Sequence, residues 1–208
     1  PIPLGWWRSV YNSQNAFANE CFMDELAEKA GKDPVQFRLE LLPITSHDAG
    51  VIKLVTEKSG WDDFENGPMY QGISCHKSFG TWVAQVARVS IQGRKVIVHE
   101  VHCAVDCGTV VNPAIVKAQI SSAIIFGLSA TIKSKITIKN GRVTQSNFDD
   151  FDVLRMDETP DISVYLMDSD APPEGVGEPG LPPIAPAVAN AVHAATGKRF
   201  RNLPIQLN

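Results

Sequence analysis

Residues 175–180 read GVGEPG, three glycines and a proline around one carboxylate, Glu178. The spacing matches G-x-G-x-x-G, which in a doubly wound fold lies between a strand and a helix whose N-terminal amides face a pyrophosphate. The flanking residues rule that reading of the loop out. The preceding DSDAPPE (168–174) is turn chemistry instead of a strand end. Pro179 sits inside the motif and Pro182-Pro183 follow it, so no helix can open at the third glycine. No Asp or Glu follows Glu178, so the acid expected to meet a ribose about 20 residues further on is missing as well. The glycine loop is not a dinucleotide loop.

Outward from it, the chain reads as mixed α and β. Apolar residues recur at helical spacing through SQNAFANECFMDELAEKAG (13–31), with Gly31 as the stop. Asp33-Pro34 predicts an N-cap and first-turn proline for a helix through VQFRLELL (35–42), and DAGVIKLVTEKSG (48–60) predicts a third. WDDFENGPMYQG (61–72) reads as a loop. VAQVARVSIQ (83–92) and KVIVHEVHCAV (95–105) alternate about a turn at Gly93 and predict a hairpin. Asn112-Pro113 caps a helix over 114–132, and the Asn-Gly in KITIKNGRVTQ (135–145) signals a type I′ hairpin. DISVYLMD (161–168) reads as another strand, and APAVANAVHAATG (185–197) as a closing helix. The expected class is α+β, mixed sheets with packed helices, with a mainly helical segment over 1–70 and an α+β portion over 71–208.

Composition narrows the function classes. The 208 residues are 44% apolar and 20% charged, which suits a chain that buries a core. The net charge is −4 and the basic residues form no block beyond GKRFR (197–201), which argues against nucleic acid and anionic membrane as partners. No apolar run of membrane-spanning length or signal-peptide pattern is expected. The chain begins at Pro1 without a methionine, as a piece of a longer protein would, and a leader could lie upstream. The four cysteines form no C-x-x-C and no zinc-ligand spacing. Cys103 and Cys107, four apart in an extended strand, are about 13 Å from each other, beyond disulfide reach. They are expected as free core thiols, which mildly favours a reducing compartment. No nucleophile–histidine arrangement supports a hydrolase.

Glu178 has only apolar residues, glycine and proline around it in sequence. Loop acids are commonly solvated, but a carboxylate in apolar, partly dry surroundings becomes a base near neutral pH. Glycines on both sides let a ligand approach the backbone.

Three blocks in order then resemble one family. GVGEPGLPPIAPAVANAVHAATGKRFRNLPI (175–205) is similar to the terminal signature of the molybdenum hydroxylases, the xanthine dehydrogenase and aldehyde oxidoreductase family. HCAVDCGTVVNPAIVKAQISSAIIFGLS (102–129) resembles their D-x-G-x-x-(I/V)-N-P segment. GWWRSVYNSQNAFANECFMDELAEKAGKDPVQFR (5–38) resembles their F-R-G-x-G-x-x-Q segment, closest to the isoquinoline 1-oxidoreductase beta-type branch. The resemblance implies an oxidoreductase that hydroxylates an aldehyde or N-heteroaromatic carbon with water-derived oxygen. Glu178 would be the general base beside the molybdenum, and Arg8 would reach toward the substrate. Gln14, Gly177, Pro179 and Gly180 are expected to shape the cofactor side. The cofactor implied is molybdopterin cytosine dinucleotide with molybdenum, held by the pterin sulfurs with no protein ligand to the metal. Iron–sulfur clusters are expected on a partner subunit.

Tyr11 stands where the family usually has glycine, and Ser121-Ser122 replaces an acidic or small pair. The glycine-rich G-G-G-F-G and G-M-G-Q-G segments that contact the pterin are missing. The chain therefore reads as the C-terminal portion of a catalytic subunit, with the remainder of that subunit as its first partner. The alternative is a non-catalytic fragment or interaction module that keeps the fold without cofactor. Arg8 after two tryptophans could instead stack on an aromatic face.

Overall fold

The computed structural model describes residues 2–207. Helix α1 (Tyr11–Lys29) is followed by α2 (Pro34–Glu40), whose cap Asp33 accepts hydrogen bonds from the amides of Val35 and Gln36, and by α3 (His47–Ser59), ended by Gly60 with φ 63°. Strands β1 (Tyr70–Ser78), β2 (Thr81–Gln92) and β3 (Lys95–Asp106) form an antiparallel meander. Helix α4 (Pro113–Ile132) starts at the Asn112 cap. A two-residue hairpin follows, β4 (Ile138–Lys139) and β5 (Arg142–Val143), with Asn140 and Gly141 both at positive φ. Strand β6 (Asp161–Leu166) adds in parallel to β3, giving the order β1-β2-β3-β6, and α5 (Ile184–Thr196) closes the fold.

The strand missed by the sequence reading is β1. YQGISCHKS carries no apolar alternation, because both of its faces are covered. Gly72 and Ser74 face α5, while Ile73 joins the α3 side of the sheet. A side chain at Gly72 would strike the backbone of Ala187 and Ala191, so the glycine admits α5 directly onto the strand. The same two-sided burial runs through β2, where Val83, Ala87 and Val89 join the core that includes α1, α4 and α5 while Ala84 and Val86 join the one that includes α2 and α3. Helices thus cover both faces of the central sheet; β2 and β3 stay readable by their apolar runs about the Gly93 turn, whereas β1, with its glycine and polar residues, does not.

One helix departs from expectation. By length and composition α4 could cross a membrane. Here it is a core helix, with Ile120, Ile124 and Leu128 fully buried and with Lys117, Gln119 and Ser122 on its outer face. All four cysteines are free, with Cys21, Cys103 and Cys107 buried. Burial pushes the Cys103 thiol up to about 12, as fits an inert core residue.

Candidate functional site

The segment from Gly175 to Pro183 has no regular secondary structure beyond turns, yet much of it is buried. A buried irregular backbone must find hydrogen bonds outside helix and sheet, and here side chains from distant elements supply them. Thr81 donates to the carbonyl of Gly175 at 2.8 Å. Arg8 Nε donates to the carbonyl of Gly177 at 2.8 Å, and Nη2 donates to the same oxygen. Ser9 Oγ donates to the carbonyl of Glu178 at 2.8 Å. Gln85, fully buried on β2, donates to the carbonyl of Gly180 at 2.7 Å, and Ser74 on β1 donates to the carbonyl of Pro183. The loop is fastened to the sheet at three points and to the start of α1 at two.

Glu178 is half-buried. Its Oε1 accepts the Ser9 amide at 2.8 Å, while Oε2 accepts no hydrogen bond from the described residues. Around it the glycines divide by role. A methyl group built on Gly177 would meet nothing within 4 Å, so that side of the loop is open. One built on Gly180 would press to 3.1 Å against Ala123 and the carbonyl of Ile120, so Gly180 permits close packing on α4. Pro179 is buried beside it.

Arg8 lies near Glu178, whose charge favours the guanidinium, but burial is the larger influence and holds Arg8 below the usual arginine range. Its donors go to loop and helix, with Nη1 on Ser122 Oγ at 3.3 Å and Nη2 on the carbonyl of Gln119 at 3.4 Å in addition to Gly177. The neighbouring Trp7 stacks on Phe126 at 5.3 Å. Gln14 is exposed on the first turn of α1, where it lines an apolar cavity of about 340 Å³ with Trp7, Phe17, Leu181 and Pro182. It joins none of the hydrogen bonds around Glu178.

The stretch Trp7-Arg8-Ser9-Val10 takes its shape from backbone strain. Ser9 and Val10 both have positive φ, 72° and 50°, and Ser9 is completely buried. A β-branched residue in that region is an outlier, sustained only where neighbours over-determine it. Tyr11 carries no such strain, since it is already helical in α1. Among the described residues, no group of three or more His, Cys, Asp or Glu could hold a metal ion. At Gly177, next in the chain to Glu178, a side chain would meet nothing within 4 Å.

A family model described as a molybdopterin cofactor-binding domain matches residues 23–160. The chain belongs to the molybdenum hydroxylases. Among curated members, the beta chain of isoquinoline 1-oxidoreductase from Brevundimonas diminuta is 36% identical over 99% of this chain and 27% of its own length. A nicotinate dehydrogenase subunit of Pseudomonas putida is 33% identical over 98% of this chain and 19% of its own. Solved members share the fold at low identity. Quinoline 2-oxidoreductase from Pseudomonas putida 86 superposes with a TM-score of 0.85 at 12% identity, over 98% of this chain and 52% of that one. The aldehyde oxidoreductase of Desulfovibrio gigas superposes with a TM-score of 0.77 at 14% identity, over 95% and 40%. The chain thus spans roughly a fifth to a quarter of the length of these two curated relatives.

Sequence reasoning missed Ser9, Gln85 and Thr81. Each lies far along the chain from the loop it holds, and no local pattern marks a residue whose partner is 94 to 169 positions away.

Proposed function

We propose that this chain is the base-carrying portion of a molybdenum-dependent oxidoreductase that hydroxylates an aldehyde or an N-heteroaromatic carbon with oxygen derived from water. The observation that carries the reading is the Glu178 carboxylate, with Oε1 held by the Ser9 amide and Oε2 accepting no hydrogen bond among the described residues, next in the chain to a glycine whose side-chain position meets nothing within 4 Å. When bound, a molybdopterin cofactor, in its cytosine dinucleotide form, supplies the two-electron oxidation and the oxygen transfer. Glu178 accepts a proton at Oε2 while Oε1 stays anchored. Arg8 fixes the peptide before it, and the close packing of Gly180 on α4 holds the loop after it. A positioned general base contributes roughly 10²–10⁴-fold to rate. The remainder of the catalytic subunit would complete the cofactor site, and an iron–sulfur subunit would carry the electrons away.

The test uses the full catalytic subunit assembled with its iron–sulfur partner. Glu178→Gln is expected to lower kcat on an aldehyde or N-heteroaromatic substrate by about 10²–10⁴-fold, with molybdenum content unchanged. Retained activity contradicts the base. The exposed Leu4, Trp6 and Val111 favour a second reading, a non-catalytic module that docks a partner through apolar side chains. A metal-free complex that binds its partner equally well with Gln at position 178 would support that reading instead.

A further inference from the structure

We infer that Ser9 is the positioning residue of the Glu178 carboxylate; this rests on the reading of Glu178 as the base. Ser9 touches Glu178 twice. Its amide donates to Oε1, and its hydroxyl donates to the main-chain carbonyl, both at 2.8 Å. That carbonyl also accepts the Leu181 amide at 3.0 Å. With both lone pairs engaged, the peptide after Glu178 is held in place and the side chain leaves the loop in one direction. The amide on Oε1 then fixes the far end, so the carboxylate is restrained at both ends of its side chain.

Ser9 is itself held firmly. Its carbonyl accepts the Asn12 amide at 3.0 Å, and Ser13 Oγ donates to the carbonyl of Arg8 at 3.2 Å, which ties the strained turn to the first turn of α1. Ser9 makes both contacts from a positive φ of 72°. Because the hydroxyl proton is committed to a carbonyl, Ser9 acts by placement and takes no part in proton transfer.

The experiment uses the full cofactor-loaded subunit with its iron–sulfur partner. Ser9→Ala keeps the amide and removes the hydroxyl, and it is expected to lower kcat roughly tenfold, since small misplacements of a reacting group carry losses up to about 10². KM and molybdenum content should stay the same. Ser9→Gly should fall equally, because it relieves the backbone without restoring the hydroxyl. In a Glu178→Gln background Ser9→Ala should add no further loss, as residues acting as one unit are not additive. A readout independent of turnover is hydrogen exchange in the cofactor-free subunit, where the Leu181 amide should exchange faster in Ser9→Ala. Wild-type kcat in Ser9→Ala, wild-type kcat in Ser9→Gly, or an equal loss in both backgrounds overturns the assignment while leaving the base intact. If Glu178→Gln retains activity, the base reading falls and the positioning role with it.

Discussion

Arg8 shows how a residue's chemistry is set by what lies opposite it. The family resemblance implied a substrate contact for it, and in this structure its donors meet the carbonyls of Gly177 and Gln119 and the hydroxyl of Ser122. Ser122, which departs from the usual family pair, is thereby an acceptor for the arginine. A guanidinium presents several donors in a rigid fork, whereas a lysine ammonium is a point charge on a flexible stem. Arg8→Lys should therefore lose part of the clasp on the loop. Hydrogen bonds made by charged donors contribute about 1.5–3 kcal/mol when the partner would otherwise be left unpaired, and Arg8 is only partly buried. We expect a stability loss near the lower end, about 1–2 kcal/mol, measured by chemical denaturation, together with a fall in kcat. Unchanged stability would mean that water replaces the clasp at no cost.

At the scale of elements, the glycines sort into those that admit a neighbour and those that leave space. Gly72 lets α5 lie on β1, and an added methyl would sit 2.3 Å from the Ala191 amide nitrogen and 2.4 Å from the Ala187 carbonyl. Backbone on a packed helix cannot give way as a side-chain tip can, so Gly72→Ala should cost about 3 kcal/mol or more. Gly177→Ala, with nothing within 4 Å, should change folding stability by less than about 0.5 kcal/mol. Thermal unfolding of the two variants side by side checks the contrast, and equal melting temperatures would show that α5 does not sit on β1 as described. The Asn-Gly hairpin was legible from two residues because its turn needs positive φ at both. β1 was not, because its burial comes from helices that are distant in the chain.

Across the whole molecule, the C-terminal segment returns to the N-terminal helix. Arg199 donates to Asp24 and to Glu28, each at 2.6 Å, and His193 lies 3.2 Å from Glu28. The hydrogen bond from Arg199 holds the Glu28 carboxyl below the usual carboxylate range, helped by His193. A carboxyl depressed in the folded state stabilises above its unfolded pKa, about 4.3, and loses that contribution as pH falls through the lower folded value. Glu28 is largely exposed, so the effect stays below about 1 kcal/mol. Glu28→Gln should melt slightly earlier than the parent at pH 7, and the gap should close below about pH 4. A gap that stays constant down to pH 3 would remove the charge from the account.

The sequence alone determined the helices with their caps, the β2–β3 hairpin, the α+β class and the family, because these rest on local chemistry: a side chain capping an amide three residues on, a turn that needs glycine, three motifs in order. It also singled out Glu178 as the acid set among glycines. Only the tertiary structure decided how that acid is held. Its loop has no secondary structure to satisfy its own carbonyls, so Ser9, Arg8, Ser74, Thr81 and Gln85 arrive from other elements to do so. Such contacts depend on the packing of the sheet and its helices, which no short window of residues contains.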